Sequence, residues 1–335
     1  MGSRIAAILL KSFLALLCGA SLCVAQAADK RYSVMIVTYR GVTDAERGFM
    51  DALKTRLPVD FVMRDAAEDR SRIAGFVDEA KVMKPDLIYT FGTTVTLDMV
   101  GAHDQVDRSR HVTDIPVIFN IVADPVGARL TRELRGSGRN LTGVSHIVPM
   151  PAQLTAIQRF KPVSRLGAVF NPFEANSTLA VSDLKSAQKQ FGFELVAEGL
   201  AIEKGEKPSA LAISDAVRKV LEQRVDFLYL PSDSSLIQQA DVIVAAATAA
   251  GVPVVSATES PIRKDGAMLG LVSNYYNAGS FAAYKAEQIL KQGRYAGDVP
   301  VETLQRFSLL INMRTARYLQ IFPPLRELKF AELLD

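Results

Sequence analysis

Cysteine is nearly missing from this chain: of 335 residues only Cys18 and Cys23 carry a thiol, and both fall within the first 27 positions. Beyond them there is no disulfide, no Cys-containing metal site and no Cys nucleophile, which is compatible with an oxidising compartment without requiring one. Histidine is scarce, with His103, His111 and His146 scattered through loop-like sequence. Neither zinc-ligand spacing nor a carboxylate-rich neighbourhood surrounds them, so they are expected to be solvated side chains and no metal site is expected. An excess of either charge is missing as well, since 39 Lys and Arg face 36 Asp and Glu. No basic block interleaved with aromatic residues stands out, so no nucleic-acid partner is expected.

Long apolar runs are confined to the N-terminus. Arg4 and Lys11 flank an apolar core from Phe13 to Val24, and Ala25-Gln26-Ala27 has the small-x-small form of a leader cleavage site. The core is shorter than the ~20 apolar residues of a transmembrane helix, so residues 1–27 read as a cleavable signal peptide. Leu17 and Leu22 precede the two cysteines, where a lipid-anchored leader would place a small residue. Removing the leader takes two bases and leaves 37 (39 − 2) against 36 acids, a formal +1.

Signatures of catalysis are also missing. Gly136-Ser137-Gly138 lacks the third glycine of a dinucleotide loop and follows charged, helix-like sequence, so it reads as a turn. No Walker motif occurs, and Gly143-Val144-Ser145-His146 lacks the closing glycine of a serine elbow. Asp and Glu are plentiful, but sequence spacing does not pair them at glycosidase separations. The expectation is a non-enzyme without a cofactor.

What the chain does have is a plan used twice. Leu87-Ile88-Tyr89-Thr90-Phe91 is an apolar run ending in Gly92-Thr93-Thr94 and passing into a helical pattern. Phe227-Leu228-Tyr229-Leu230 likewise precedes Ser232-Asp233-Ser234 and a helix. Asp86 to Thr93 and Asp226 to Asp233 are each seven positions (93 − 86 and 233 − 226). Further strands follow at Ile115–Phe119 and Val252–Ser256. A buried strand emptying into a polar helix N-terminus is the ligand-binding corner of an open α/β sheet. Two such corners predict a cleft with one jaw on each half.

Around these corners the alternation continues. Strands are expected at Tyr32–Thr38, Val59–Met63 and Asn140–Val144 in the first half, with a helix at Arg70–Met83 stopped by Pro85 and Asp44 capping another. The second half predicts strands at Leu166–Phe170 and Glu194–Glu198 and a helix at Ser209–Gln223. A loop at Tyr275–Gly279, a helix from Ser280 to Gln292, a β-like stretch Pro300–Ile311 and a helix Thr315–Ile321 close the chain. Strand and helix in unbroken alternation mean parallel sheets with helices on both faces. About 300 residues fits two such domains.

Each corner offers chemistry, and each candidate has a structural alternative. Thr93 and Thr94 present hydroxyls and early-helix amides to an anion, worth ~0.3–2 kcal/mol at a helix terminus, or simply cap the helix. Asp233 suits an ammonium group, or caps in its turn. Asp124, before Pro125, caps a helix or lines the cleft. Glu174, Asn176 and Ser177 lie on the first loop of the second half, as contacts or as a solvated capping loop. Tyr39, Phe173, Tyr275 and Tyr276 adjoin strand ends, as stacking partners or core members. Anion acceptors on one jaw, an acid on the other and several rings together point to an amino acid, with aromatic ones among the candidates.

Gly92-Thr93, Ile115-Pro116-Val117-Ile118-Phe119, Asp124-Pro125-Val126-Gly127, Asn140-Leu141-Thr142-Gly143-Val144-Ser145 and Asn171-Pro172-Phe173-Glu174-Ala175-Asn176-Ser177 follow one another in order. On these motifs, nearly all of the chain after the leader resembles the ABC-transporter substrate-binding proteins that include tryptophan- and tyrosine-binding members. The resemblance implies two Rossmann-like lobes with parallel sheets flanked by helices, in the type I periplasmic-binding arrangement with hinge crossovers. Lobe 1 would hold residues 28–147 with about 277–303, and lobe 2 residues 148–276 with about 304–335. Thr93, Thr94, Asp124, Glu174 to Ser177 and Asp233 become cleft residues. The implied protein is a free periplasmic monomer that captures a small molecule by hinge closure and delivers it to an ABC permease in the inner membrane. Two features depart from the family pattern: Asn274 replaces an acid, and Ser232-Asp233-Ser234 replaces Thr-Asp-Asn. A ligand-sensing periplasmic module for a membrane signalling receptor would carry the same chain, and a secreted α/β enzyme using cleft carboxylates would be set apart by turnover.

Overall fold

A computed structural model describes residues 30–335; the expected signal peptide lies outside the described residues. The first half runs β1 (Tyr32–Thr38), α1 (Asp44–Lys54), β2 (Val59–Asp65), α2 (Arg72–Met83), β3 (Leu87–Phe91), α3 (Gly92–Val100), β4 (Val117–Val122) and β5 (Leu141–Ser145). All five β3 residues are buried, because helices cover both faces of a parallel sheet and no solvent face is left to alternate with. Thr43, not Asp44, caps α1: its hydroxyl accepts from the Ala45 amide at 3.2 Å, while Glu46 reaches back to the Thr43 amide at 2.7 Å. That reciprocal pair is a capping box, and it carries Glu46 into the core. Lys84 ends α2 in the left-handed region (φ 51°), ahead of Pro85.

The second half runs α4 (Met150–Gln158), β6 (Arg165–Phe170), α5 (Ala175–Phe191), β7 (Glu194–Gly199), α6 (Ala210–Glu222), β8 (Phe227–Leu230), α7 (Ser234–Gln238), α8 (Ala240–Ala249), β9 (Val254–Ser256), α9 (Glu259–Lys264) and β10 (Leu269–Val272). Then come α10 (Tyr275–Leu290), β11 (Glu302–Thr303), β12 (Ser308–Asn312), α11 (Met313–Tyr318), α12 (Leu325–Leu328) and β13 (Glu332–Leu334).

Two sheets result, ordered β11-β5-β4-β3-β1-β2 and β13-β12-β10-β9-β8-β6-β7. Among the described residues every pairing is parallel except β10 with β12. The sub-orders β2-β1-β3-β4-β5 and β7-β6-β8-β9-β10 are the same winding, so the repeat in the sequence is a repeat of topology. Each sheet with its helices forms one lobe, and the chain passes between the sheets at residues 146–149, 273–274 and 304–307.

Helix α10 packs on α1 of the first lobe with its backbone almost touching. A Cβ added at Gly279 would lie 2.0 Å from the Ala45 carbonyl oxygen, and one at Gly48 2.1 Å from that of Tyr276. Only glycine permits that approach. Further along α10, the buried Lys285 donates to the Pro300 carbonyl at 2.6 Å and pairs with Glu302 at 2.5 Å, fastening β11 to the first sheet.

Three expectations shift. Tyr275–Gly279 is the opening of α10 rather than a loop, because the Asn274 side chain accepts from the Asn277 amide at 2.9 Å and starts the helix there. The stretch Pro300–Ile311 divides into β11 and β12 on different sheets, with a crossing between them. Strand β4 begins at Val117 and ends in a bulge between Asn120 and Val122, where Ile121 takes φ 57°. A β-branched residue in that region is strained, and such strain gathers at ligand clamps.

Candidate functional site

In sheets wound 2-1-3-4-5, ligands sit beyond the C-terminal strand ends where the winding reverses, here between β1 and β3 and between β6 and β8. Those four strand ends deliver Tyr39-Arg40, Gly92-Thr93-Thr94, Glu174-Ala175-Asn176 and Ser232-Asp233-Ser234. They converge. Tyr39, Arg40, Phe91, Thr93, Thr94 and Ile121 of the first lobe face Glu174, Asn176, Ser232, Ser234 and Ile237 of the second, with Tyr275 of α10 between, around a hollow of about 20 Å³. Gly92, at φ 77°, lets β3 turn directly into α3 with no intervening residue, which brings the α3 N-terminus to the hollow.

The second-lobe wall is acidic. Glu174 precedes α5, and its two carboxylate oxygens accept from the Thr94 hydroxyl across the cleft at 3.0 and 3.2 Å. Burial, reinforced by the nearby Asp233 charge, pushes the Glu174 carboxyl up to about 7. Asp233 is fully buried. One of its oxygens, Oδ1, accepts from the Ser235 and Leu236 amides, both at 2.9 Å, and caps α7. The other, Oδ2, is buried with no partner among the described residues. Burial raises this carboxyl too. Burial and the Asp233 charge thus favour a protonated Glu174, and a cation placed beside the two carboxyls would relieve both.

Other polar groups complete the wall. Asn176 donates through Nδ2 to the Ser232 carbonyl, leaving its Oδ1 buried and without a partner among the described residues. Arg40 reaches over from the first lobe, donating from Nη1 to the Ser234 carbonyl at 3.3 Å, with its guanidinium 5.5 Å from the centre of the Phe91 ring. The Tyr39 hydroxyl donates to the Glu68 carbonyl at 3.0 Å, which fixes the ring at the edge of the hollow.

His146, on the first crossing, corrects the expectation of a solvated side chain. It is buried, 3.0 Å through Nε2 from the Ser232 hydroxyl, and edge-on to Tyr275 at 5.7 Å. Burial brings its pKa down to about 4, so the imidazole is neutral. Nothing in the spacing marked it, because its burial comes from the crossing segment folding between the lobes. His103 and His111 are only part-exposed.

The expected site residues divide into three groups. Tyr39, Thr93, Thr94, Glu174 and Asn176 line the hollow. Asp233 and Ser177 lie just beneath it; the Ser177 hydroxyl accepts from the Asn171 amide at 3.0 Å and lies within reach of Asp233. Asp124 and Tyr276 are placed elsewhere. Asp124 caps its own turn, accepting from the Val126 and Gly127 amides at 3.0 and 2.8 Å. Tyr276 is exposed and donates to Asp51 at 3.1 Å on the outer surface of the first lobe. Helical geometry is the reason: once α10 starts at Tyr275, successive residues point about 100° apart, so Tyr275 faces the hollow and Tyr276 faces solvent. Phe173 lines a wider outer groove of about 690 Å³ that shares Tyr39, Thr94 and Glu174 with the hollow and is bridged by the Lys207–Glu68 ion pair.

Arg40, Phe91, Ile121 and Ile237 were not anticipated. Arg40 had a usable signal, since it follows β1 as Thr93 follows β3. Ile121 had none, because only the bulge turns it inward. Among the described residues no three His, Cys, Asp or Glu side chains gather as metal ligands. The donors and acceptors suit a small organic ion. Unpartnered acceptors on the second lobe require N–H donors, while Arg40 and the α3 N-terminus favour negative charge.

The profile of the family described as ABC transporter substrate binding protein matches residues 33–332. This chain belongs to that family. A tyrosine-binding protein of Clostridioides difficile (strain R20291) is 26% identical to this substrate-binding protein over 296 residues, 85% of this chain and 79% of its own. A conserved domain protein from Vibrio cholerae O1 biovar El Tor superposes with a TM-score of 0.80 at 24% identity, covering 91% of this chain and 100% of that one. The ABC domain from Streptococcus pneumonia in complex with L-Trp gives 0.77 at 23% identity, over 90% and 100%. The structural likenesses carry the fold: two Rossmann-like lobes in the type I periplasmic-binding arrangement. No helix among the described residues is long and apolar enough to cross a membrane.

Proposed function

We propose that this substrate-binding protein is the periplasmic solute-capturing component of an ABC uptake transporter and that its ligand is an amino acid, of the aromatic kind. The observation that carries the reading is the acid pair, Glu174 half-buried and Asp233 fully buried, with Asp233 Oδ2 and Asn176 Oδ1 unpartnered among the described residues. A ligand ammonium placed there supplies the cation and the N–H groups these acceptors need. Arg40 and the α3 N-terminus, with Thr93 and Thr94, receive the carboxylate, and Phe91, Tyr275 and Tyr39 flank a ring. Support comes also from the relatives, one named for tyrosine and one solved with L-Trp.

The hollow, at about 20 Å³, is far below the ~300 Å³ at which ordinary small-molecule sites begin. Binding therefore requires the lobes to part and close again about the crossings at 146–149, 273–274 and 304–307, with the lobe limits near residues 147, 277 and 304. The Thr94–Glu174 and Arg40–Ser234 bonds, both between lobes, occupy groups that the ligand takes over. Closure on ligand is driven only by contacts stronger in the shut state. Micromolar binding needs about −8 kcal/mol, which a few hydrogen bonds to charged groups at ~1.5–3 kcal/mol each, and one buried ring, supply. The protein works as a monomer, exported by its leader, and hands the ligand unchanged to an inner-membrane permease.

A thermal-shift screen against amino acids, aromatic acids, purines and short peptides tests this. A ligand at a hundred times its Kd stabilises by ~2.7 kcal/mol, and L-tyrosine or L-tryptophan is expected to raise Tm. If only another chemical class does so, the amino-acid assignment is wrong. If the ligand is recovered chemically altered, the transport reading is wrong.

A further inference from the structure

The C-terminal segment of the second lobe presents side chains that packing leaves bare. Tyr318, Phe322, Leu325 and Phe330 are 69%, 62%, 81% and 83% exposed. Leu319, Ile321 and Ala331 of the same segment pack inward on the second-lobe core. The segment is therefore docked, and these side chains are turned outward from it.

The charges beside them are equally one-sided. From Arg314 to the C-terminus every acid is committed: Glu327 to Arg159 at 3.0 Å, Glu332 to Arg263 at 2.7 Å, and Asp335 to Arg317 at 3.0 Å. Arg314, Arg326 and Lys329 have no ion-pair partner among the described residues. Arg326 and Phe330 border the same shallow open groove of about 390 Å³. Uncommitted cations interleaved with protruding apolar side chains match a surface that is negative outside and apolar just beneath.

We propose that this face docks on an anionic lipid surface, Arg314, Arg326 and Lys329 meeting headgroup phosphates while Phe322, Leu325 and Phe330 enter the boundary between headgroups and acyl chains. Amphipathic segments bind bilayers by this division of labour, and basic side chains add attraction that salt weakens. The shape favours lipid over protein. The bare side chains stand singly around a four-residue helix and a short edge strand, which suits separate insertion among headgroups and leaves no continuous wall for a partner to pack on. Docking of this kind is reversible, and it uses none of the residues that line the hollow. It would hold the protein in the plane of the membrane, where a permease lies.

Co-sedimentation of the full chain with phosphatidylcholine vesicles, with and without a one-third share of phosphatidylglycerol, tests it at low and high salt. Binding is expected only to the anionic vesicles, falling with salt. It should weaken at least tenfold in Arg326→Glu with Lys329→Glu, and likewise in Phe322→Ser with Phe330→Ser, with both variants melting within a degree or so of wild type. Wild type and variants share residues 1–29, so their difference reports this face alone. Equal binding by wild type and variants overturns the proposal. So does binding to native membranes but not to lipid vesicles, which would mean a protein partner. A dimer in light scattering that Phe322→Ser with Phe330→Ser dissociates would assign the face to a second copy and overturn it as well.

Discussion

Replacing Glu174 by Gln should make the unliganded protein more stable and a worse receptor. The carboxyl rises from 4.5 to about 7 on folding, chiefly because it is buried and secondly because Asp233 is near. A raised carboxyl binds its proton more tightly in the folded state, so stability falls as pH climbs from 4.5 to 7 and the whole cost is present above 7. A carboxyl raised from 4.5 to about 7 corresponds to about 3 kcal/mol, an upper limit because Glu174 is only half-buried and Asp233 shares the effect. Gln keeps the Thr94 hydrogen bond through its amide oxygen, and no capping bond is lost because the Glu174 side chain makes none. The assay is urea unfolding of wild type and variant, without ligand, at pH 8 and pH 4.5. The variant should be more stable at pH 8 by up to about 3 kcal/mol and nearly equal at pH 4.5. Its affinity for L-tyrosine should fall at least tenfold, since an ammonium loses half of its acid pair. A variant that is less stable at pH 8, or whose gain is the same at both pH values, would refute the buried-charge reasoning.

Asp233 tests the same wall with its capping role separated out. Asp233→Asn keeps the α7 cap through Oδ1 and should lose at least tenfold in amino-acid affinity while, by the same relief of a buried charge, being at least as stable as wild type at pH 8; Asp233→Ala should be ~1 kcal/mol less stable than Asp233→Asn for want of the cap, and calorimetry and urea unfolding check both. Ligand uptake should release a proton below pH 7 as an ammonium displaces the one on Glu174, so affinity should fall as pH drops from 7 to 5, and the heat of binding at pH 6 should vary with the ionisation enthalpy of the buffer. Tyr276→Ala should leave ligand affinity within about twofold of wild type, whereas Tyr275→Ala, which removes a ring with ~0.5–1.5 kcal/mol of aromatic contact besides its buried area, should not. Gly279→Ala should destabilise by about 3 kcal/mol or more despite alanine's better helix propensity, because the added Cβ meets the Ala45 carbonyl oxygen at 2.0 Å; thermal unfolding reads it directly.

The fold was legible because local rules and global packing agree in it. A buried parallel strand reads as an apolar run, a helix as a 3.6-residue stripe, and the order of both in the chain is the order in the structure. The seven-position repeat located Thr93 and Asp233 at equivalent strand ends, and Glu174 and Asn176 followed from being on the first loop of the second winding. These are properties of contiguous residues, and periodicity records them. The side of a helix, the depth of a side chain and the company of a charge are different, because they arise between segments far apart in sequence. Asn274 starting α10 one residue before Tyr275 decided which tyrosine faces the hollow, and a bulge at Ile121 decided that an isoleucine does. The crossing segment buried His146, and Arg40 met Ser234 from 194 positions away. The sequence alone determined two matched windings and the strand ends where a guest would be held. Only the tertiary structure decided which groups there are desolvated, and desolvation, by withholding water from Glu174 and Asp233, is what turns ordinary helix-end acids into acceptors that need a cation.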